Sequence, residues 1–205
     1  MTIRNGGKYG ILFWVLSIVV LSCLALSEFS HDGIKLENNI DEPLTGSMNS
    51  ILEKYTYEDL SNKSDTIVIG TVMETLPSRW NSIDGTKSDT IDEFTLDNLI
   101  YTDIKISVDS YVKNPLSSKE IIVRVVGGKV GKDRFVSEDE PSFKSGERVL
   151  LYLHEDDNPA TKDTSPDHFV VTGYMQGKFT LAGDGKAVGC DETISQDKLL
   201  STIEK

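Results

Sequence analysis

The sequence predicts a mainly β protein: a small antiparallel barrel or sandwich with a short helix before it and a helix after it, preceded by a hydrophobic export or anchor helix. Three observations carry this. Short β-branched runs bounded by Gly, Pro, Asn and Asp recur from Asp65 to Val188. Between Tyr101 and Lys113, apolar and polar residues alternate with the period of a half-buried strand. An uncharged run of 18 residues, Tyr9 to Leu26, follows Arg4 and Lys8 near the N-terminus.

That run, YGILFWVLSIVVLSCLAL, is apolar on every face, unlike a core helix with one wet side. It reads either as a removable signal peptide or as an uncleaved anchor. Ala25 and Ser27 supply the small residues of a cleavage site before Glu28; the length is close to the minimum that spans a bilayer. Either way the positive charge in front of it leaves the bulk of the chain outside the cytoplasm. Residues 28–50 are polar, lack a period and contain Pro43 and Gly46, the composition of a tether. A tether has a use behind an anchor and none after cleavage, which favours anchoring in the cell membrane through residues 9–26. The expected organisation is therefore 1–27 signal or anchor, 28–50 tether and 51–205 extracytoplasmic β-domain.

Within that domain, Thr56 can cap a short helix with Glu58 and Asp59 in its first turn. Asp65 to Val72 is β-branched and apolar at nearly every position and reads as a strand. Residues 76–98 form a long polar loop around Trp80. In the alternating strand, Ile104, Ile106, Val108 and Val112 fall on one face and Asp103, Lys105 and Tyr111 on the other. Further strands are expected at Glu120–Val126, Lys129–Phe135, Arg148–His154, Phe169–Tyr174 and Lys178–Leu181, with turns at Asn114–Ser118, Gly127–Gly128 and Gly183–Gly185. Glu138–Pro141 and Glu155–Asp167 read as acidic loops. Thr193 and Gln196 form a capping box for a C-terminal helix to about Glu204, with Ile194, Leu199, Leu200 and Ile203 as its buried stripe.

The charge balance narrows the partners. With 33 acids against 21 bases the net charge is −12, and Arg4 and Lys8 are the only charges in residues 1–27, leaving −14 on the remainder. Phosphate backbones bind through Lys and Arg, so no nucleic-acid partner is expected. Cys23 and Cys190 make no disulfide framework, and Asp191 and Glu192 beside Cys190 oppose a reactive thiolate.

No catalytic set assembles in the sequence and no cofactor is expected. The histidines are His31, in the tether, and His154 and His168, on either side of the second acidic loop. No Gly-x-Ser-x-Gly elbow occurs. His154, Asp167 and His168 are candidate metal ligands, but without zincin spacing, and the carboxylates have no EF-hand spacing. The Gly127–Asp133 and Gly173–Lys178 segments lack the phosphate-loop pattern and read as hairpin glycines. Trp80, Tyr101, Tyr111, Tyr152 and Tyr174 are the candidate exposed aromatics; of these, Trp80, Tyr101 and Tyr174 are the candidate binding residues. The competing reading of Trp80 is a plug at one end of the barrel.

The segments Ser64-Asp65-Thr66-Ile67-Val68-Ile69-Gly70-Thr71-Val72, Trp80, Gly127-Gly128-Lys129-Val130-Gly131, Phe143 to Leu150 and Gly173-Tyr174-Met175-Gln176-Gly177-Lys178-Phe179 follow one another in an order that resembles a family of uncharacterised exported β-domains of bacteria and archaea. The resemblance covers residues 55–182 and implies export, with no catalytic set attached to it. By strand order the chain is also similar to the oligonucleotide/oligosaccharide-binding type of barrel found in netrin-like and metalloprotease-inhibitor domains. The function expected is a non-catalytic binding module with a protein or cell-envelope partner. The alternatives are an inhibitor or regulator of extracellular proteases, and a metal-dependent hydrolase using His154, Asp167 and His168.

Overall fold

The computed structural model describes residues 42–203 apart from position 160. The Tyr9–Leu26 run and most of the tether lie outside the described residues. Among those described, no helix is long and apolar enough to cross a membrane.

The described residues form a closed β-barrel with a sheet extension, a small three-stranded sheet and two short helices. The strands are β1 (Thr45–Met48), β2 (Thr66–Thr75), β3 (Arg79–Trp80), β4 (Ile100–Lys113), β5 (Glu120–Val126), β6 (Gly128–Val130), β7 (Asp133–Ser137), β8 (Arg148–Glu155), β9 (Phe169–Val171), β10 (Lys178–Leu181), β11 (Lys186–Val188) and β12 (Thr193–Ser195). The helices are α1 (Tyr57–Lys63) and α2 (Gln196–Leu200).

Five strands close the barrel in the order β2-β4-β5-β9-β8 and back to β2. All contacts are antiparallel except β5 with β9, where Val123 and Arg124 stand against Phe169 and Val170 in parallel. A three-strand meander closed by two later strands is an OB-like arrangement. β8 divides its second edge: Val149–Leu151 pair with β10, and Leu153–Glu155 with β9. Through β10 the sheet continues to β11 and β12 outside the ring.

This arrangement explains why β2 and β8 read as continuous apolar runs. Val68, Val72, Val149, Leu151 and Leu153 point into the barrel with Ile104, Ile106, Ile121 and Val123. Ile67, Ile69, Leu150 and Tyr152 point outward and are covered by Phe179, Leu181, Ile194, Leu199 and Leu60 of the extension and the helices. Strands buried on both faces lose the alternation of half-buried ones. Gly70 lets β4 approach β2: a Cβ there would lie 2.5 Å from the Ser107 carbonyl oxygen.

The alternation in β4 holds from Ile104 to Val108 and then breaks. The β2–β4 register skips a residue at Asp109 and again at Val112. Val108 and Tyr111 therefore pack with the barrel interior, while Val112 joins the outer cluster. This corrects the expected facing of Tyr111 and Val112. Bulges of this kind bend a strand, which a closing ring requires.

Helix α1 has the expected Thr56 cap. The Asp59 N–H donates to Thr56 Oγ1, and the Thr56 N–H returns a bond to Asp59 Oδ2. At its far end Lys113 Nζ donates to the carbonyls of Ser61 and Ser64, satisfying groups the helix leaves open. At the other end of the domain, Thr193 is in β12 and the cap of α2 is Ser195, whose hydroxyl accepts from the Lys198 N–H. Gln196 instead donates its side-chain amide to the carbonyls of Ala182 and Lys186. The helix is one turn shorter than expected, yet Ile194, Leu199, Leu200 and Ile203 do pack on the outer core. The Gly173–Lys178 segment likewise differs from a hairpin: Tyr174–Gly177 form a 3-10 turn.

The domain begins earlier than residue 51. Thr45–Met48, expected in the tether, pair in parallel with β7. The Leu44 N–H donates to Asp133 Oδ1 at 2.8 Å, and a Cβ on Gly46 would meet the Phe94 ring at 2.5 Å. A strand held by its main chain and by the absence of a side chain leaves no hydrophobic pattern to read.

Candidate functional site

A cavity of about 630 Å³ lies over the outer face of β4, β5, β9 and β8, within the size range of small-ligand sites. Strand register builds its floor. On β4 and β5, Tyr101 faces Val126 and Asp103 faces Arg124. Next to Arg124 comes Val170 of β9, and beside Val170 comes His154 of β8. The walls come from three stretches: residues 50–55 before α1, the Asp156–Thr161 part of the β8–β9 loop, and Glu140 with Tyr174. Asn81 and Leu99 of the long loop complete it.

Arg124 and Asp103 form a bidentate ion pair inside this floor. Arg124 Nε is 2.7 Å from Asp103 Oδ1, and its Nη2 is 2.9 Å from Oδ2. Side-chain exposures of 2% and 4% make the pair almost fully desolvated. The guanidinium lies over the Tyr101 ring, 3.8 Å from its centroid, and bonds Thr164 and the Ser165 carbonyl of the β8–β9 loop. It therefore clamps that loop to the barrel. Stacking, fork geometry and two loop contacts together suit arginine and not lysine.

The Glu138–Pro141 segment, expected as a solvated acidic loop, turns inward. Asp139 is buried and accepts the Ser50 N–H at 2.6 Å, while its carbonyl accepts the Met175 N–H. Burial pushes the Glu140 carboxyl up to about 7; the Val126 N–H opposes the rise and the nearby Asp139 adds to it. Tyr174 is also raised, first by burial and then by Glu140 and Asp139. Its backbone is left-handed, φ +57°, directly after Gly173 at φ +70°. Non-glycine residues seldom hold that conformation, so the ring is set over the cavity by a local strain that the 3-10 turn sustains. Gln176 ties the wall together: its carbonyl oxygen accepts the Tyr55 N–H and its amide donates to the Glu53 carbonyl.

The sequence-expected residues separate into three groups. Tyr101 and Tyr174 both line the cavity. Tyr174 is exposed as expected, but Tyr101 and Tyr152 are buried, Tyr101 because β5 and Arg124 cover it and Tyr152 because the outer core does. Trp80 is also buried, stacked on Phe94 at 5.2 Å and packed with Leu99, Ile100 and Phe135. It holds the long loop and the three-stranded sheet to the barrel and does not face the cavity.

The histidines do not converge on a metal geometry. Strands β8 and β9 do pair, but His154 stands against Val170, two residues away from His168. His154 Nδ1 is 3.2 Å from Thr172 Oγ1. His168 Nδ1 is 2.8 Å from the Pro166 carbonyl oxygen and Nε2 is 2.9 Å from Asp156 Oδ2. Both partners are acceptors, so each ring nitrogen already has a protein partner. Burial alone would raise the Asp156 carboxyl; bonds from Thr161, His168 and the Asn158 N–H outweigh it and hold the group below its usual value. Asp167 is exposed. Among the described residues, no three His, Cys, Asp or Glu side chains come together as a metal-holding group. Cys190 is exposed, with its thiol raised by partial desolvation and by Asp191.

Arg124, Glu140 and Tyr55 line the cavity and Asp103 pairs with Arg124; the sequence singled out none of these four as site residues. One signal was available for two of them: Asp103 and Arg124 are opposite charges on strands whose neighbours are apolar, the pattern of a cross-strand pair.

No family model matches the chain, and no curated protein matches it.

Proposed function

We propose that this chain is an exported, membrane-tethered β-domain that acts as a non-catalytic binding module, with the cavity over β4, β5, β9 and β8 as its binding site. The observation that carries the reading is the cavity's position. It occupies the face formed by the second and third barrel strands, between the loop after the first strand and the loop between the fourth and fifth. In OB-like barrels that face and those loops bind ligands. The analogy is one of fold, so the site itself must support it. It does so through size, through the tyrosines Tyr55, Tyr101 and Tyr174, and through a left-handed Tyr174 held at its rim. Export and tethering rest on the Tyr9–Leu26 run and the polar stretch after it. The protease-inhibitor reading rests on strand order alone. The metal-hydrolase reading finds no support in a His168 whose two nitrogens already have protein partners.

The test is capture from cell-envelope extracts by the full chain, compared with two variants. Val170→Trp fills the cavity floor, and Tyr174→Ala removes the exposed rim ring. The proposal expects a component retained by the natural chain and lost with both variants. Equal retention by all three proteins, or none by any, overturns it.

A further inference from the structure

Strand β1 is the outer strand of the three-stranded sheet and is paired on one side only. The Leu44 carbonyl accepts the Arg134 N–H, and the Met48 carbonyl accepts the Glu138 N–H. Main-chain groups of successive strand residues point to opposite edges, so Leu44, Gly46 and Met48 face β7 while Thr45 and Ser47 face away. The outward N–H and C=O groups of those two meet no further strand among the described residues. Free edges are usually closed by a charge, a proline or a bulge. Thr45–Met48 has none of these: it reads Thr-Gly-Ser-Met, in unbroken register with β7.

The two faces beside this edge differ in chemistry. On the inner face Leu44 and Met48 pack with Trp80 and Phe135, and β1 shares a groove of about 470 Å³ with Glu93–Leu96, Leu99 and Phe135. Leu96 in that groove is 73% exposed. On the outer face the register sets Thr45 beside Arg134 and Arg134 beside Lys129. Both cations are exposed, and neither has an ion pair among the described residues. Like charges directly opposite each other are destabilising, and these two stand on a chain whose residues 28–205 carry a net −14. The acids flanking β7 are engaged elsewhere: Asp133 with the Leu44 N–H and Lys87, and Glu138 with Asn49.

We propose that β1 takes an extended segment of a partner protein as an added strand, one in which apolar and acidic residues alternate. Its main chain pairs with Thr45 and Ser47. Its apolar side chains enter the groove beside Leu96, and its acidic ones lie on the face of Arg134 and Lys129. Strand addition draws affinity from the main chain and specificity from alternate side chains. The added strand runs about 10 Å from β7, two strand spacings, and Thr45 between them is small enough for Arg134 and a glutamate to meet above it. The opposite facing is unfavourable, because Glu93 lines the groove and repels an acid placed there. A second copy of β1 does not complement this edge: it brings Thr and Ser to the outer face and another Arg134 and Lys129 beside the first pair. The edge belongs to a different sheet from the cavity, so the two sites are separately testable.

The test titrates the full chain in a non-ionic detergent, by calorimetry, with acetyl-Glu-Val-Glu-Val-Glu-Val-amide, with its counterpart carrying Lys for Glu, and with heparin, an anion without a peptide backbone. The acidic peptide is expected to bind about tenfold or more tighter than the lysine peptide. Arg134→Glu, a change at an exposed side chain, is expected to weaken the acidic peptide by about tenfold. Ser47→Pro removes an outward N–H and leaves the pairing with β7 in place, the setting in which edge strands tolerate proline; it is expected to weaken the peptide by about threefold to tenfold. Melting temperatures of both variants separate lost binding from lost folding. Val170→Trp, which fills the cavity, is expected to change nothing; loss of the acidic peptide with that variant assigns the peptide to the cavity and overturns the proposal. Equal affinity for the two peptides overturns it, as does indifference to Ser47→Pro. Heparin that binds as tightly as the acidic peptide and survives Ser47→Pro marks a plain cationic strip and also overturns it. Binding of neither peptide overturns it as well; a particle mass that doubles with concentration, and that Ser47→Pro returns to one chain, then assigns the edge to a second copy.

Discussion

Glu140→Gln should make the protein more stable at alkaline pH and leave it nearly unchanged at acidic pH. Burial and the adjacent Asp139 raise the carboxyl from 4.5 to about 7. In the unfolded chain the group ionises near its ordinary value. Between these two values the folded state holds a proton that the unfolded state has lost, so stability falls as pH rises from about 4.5 to about 7 and is level above. At about 1.4 kcal/mol for each tenfold change in proton affinity, the ceiling on this loss is about 3 kcal/mol. Residual solvation of a partly buried group brings the expected value to between about 1 and 3 kcal/mol. The glutamine amide oxygen can still accept the Val126 N–H while carrying no charge. Asp156 and Glu147, both lowered by their partners, act below this window, where falling pH protonates them and weakens the fold. The assay is urea unfolding of the natural and substituted full chains at about pH 5 and about pH 8. A stability difference that opens with pH by at least about 1 kcal/mol supports the reasoning. The same pH dependence in both proteins refutes it, and would mean that Glu140 is solvated when ionised.

Two other outcomes follow from the geometry and one from the sequence. Asp103→Ala strands the buried Arg124 guanidinium and should cost about 3–5 kcal/mol in urea unfolding, with increased proteolysis in the Asp156–Asp167 loop that Arg124 clamps; a loss under about 1 kcal/mol contradicts the described burial. Gly70→Ala brings a methyl to within 2.5 Å of the Ser107 carbonyl oxygen and should destabilise by about 1–3 kcal/mol, with a correspondingly lower melting temperature; an unchanged temperature contradicts the close β2–β4 approach. Fractionation with N-terminal sequencing should find the intact chain in the membrane fraction, whereas soluble mature protein beginning at Glu28 would replace the anchor with a cleaved signal peptide.

The sequence made the barrel legible wherever burial was one-sided or total. The runs at Asp65–Val72 and Arg148–His154 and the alternation from Ile104 to Val108 marked three of the five barrel strands, and the shorter runs from Glu120 to Val126 and from Phe169 marked the other two. It could not show where β4 shifts register, because those bulges arise from closing the ring and not from local preference. Nor could it show β1, whose pairing depends on Asp133, Phe94 and Phe135 far along the chain. The site was legible in part. Tyr101 and Tyr174 were found as aromatics, but the same criterion selected Trp80, which is core, because a residue type does not reveal its exposure. The acidic loop at Glu138–Pro141 looked solvated, since composition cannot reveal that Asp139 caps the Ser50 N–H and that Glu140 is carried inward with it. His154 and His168 were separated by a register offset of two residues, and only the strand pairing fixes that.

The most direct test of the account is to label the tyrosine rings isotopically and follow them by NMR while the full chain in detergent is titrated with the envelope component that it retains. The account predicts that Tyr55, Tyr101 and Tyr174, which line the cavity, shift together and saturate at one concentration. Tyr111, whose hydroxyl is held by the Ser118 carbonyl away from the cavity, should stay in place. Saturating shifts confined to Tyr111, or no shift at any tyrosine, would contradict it.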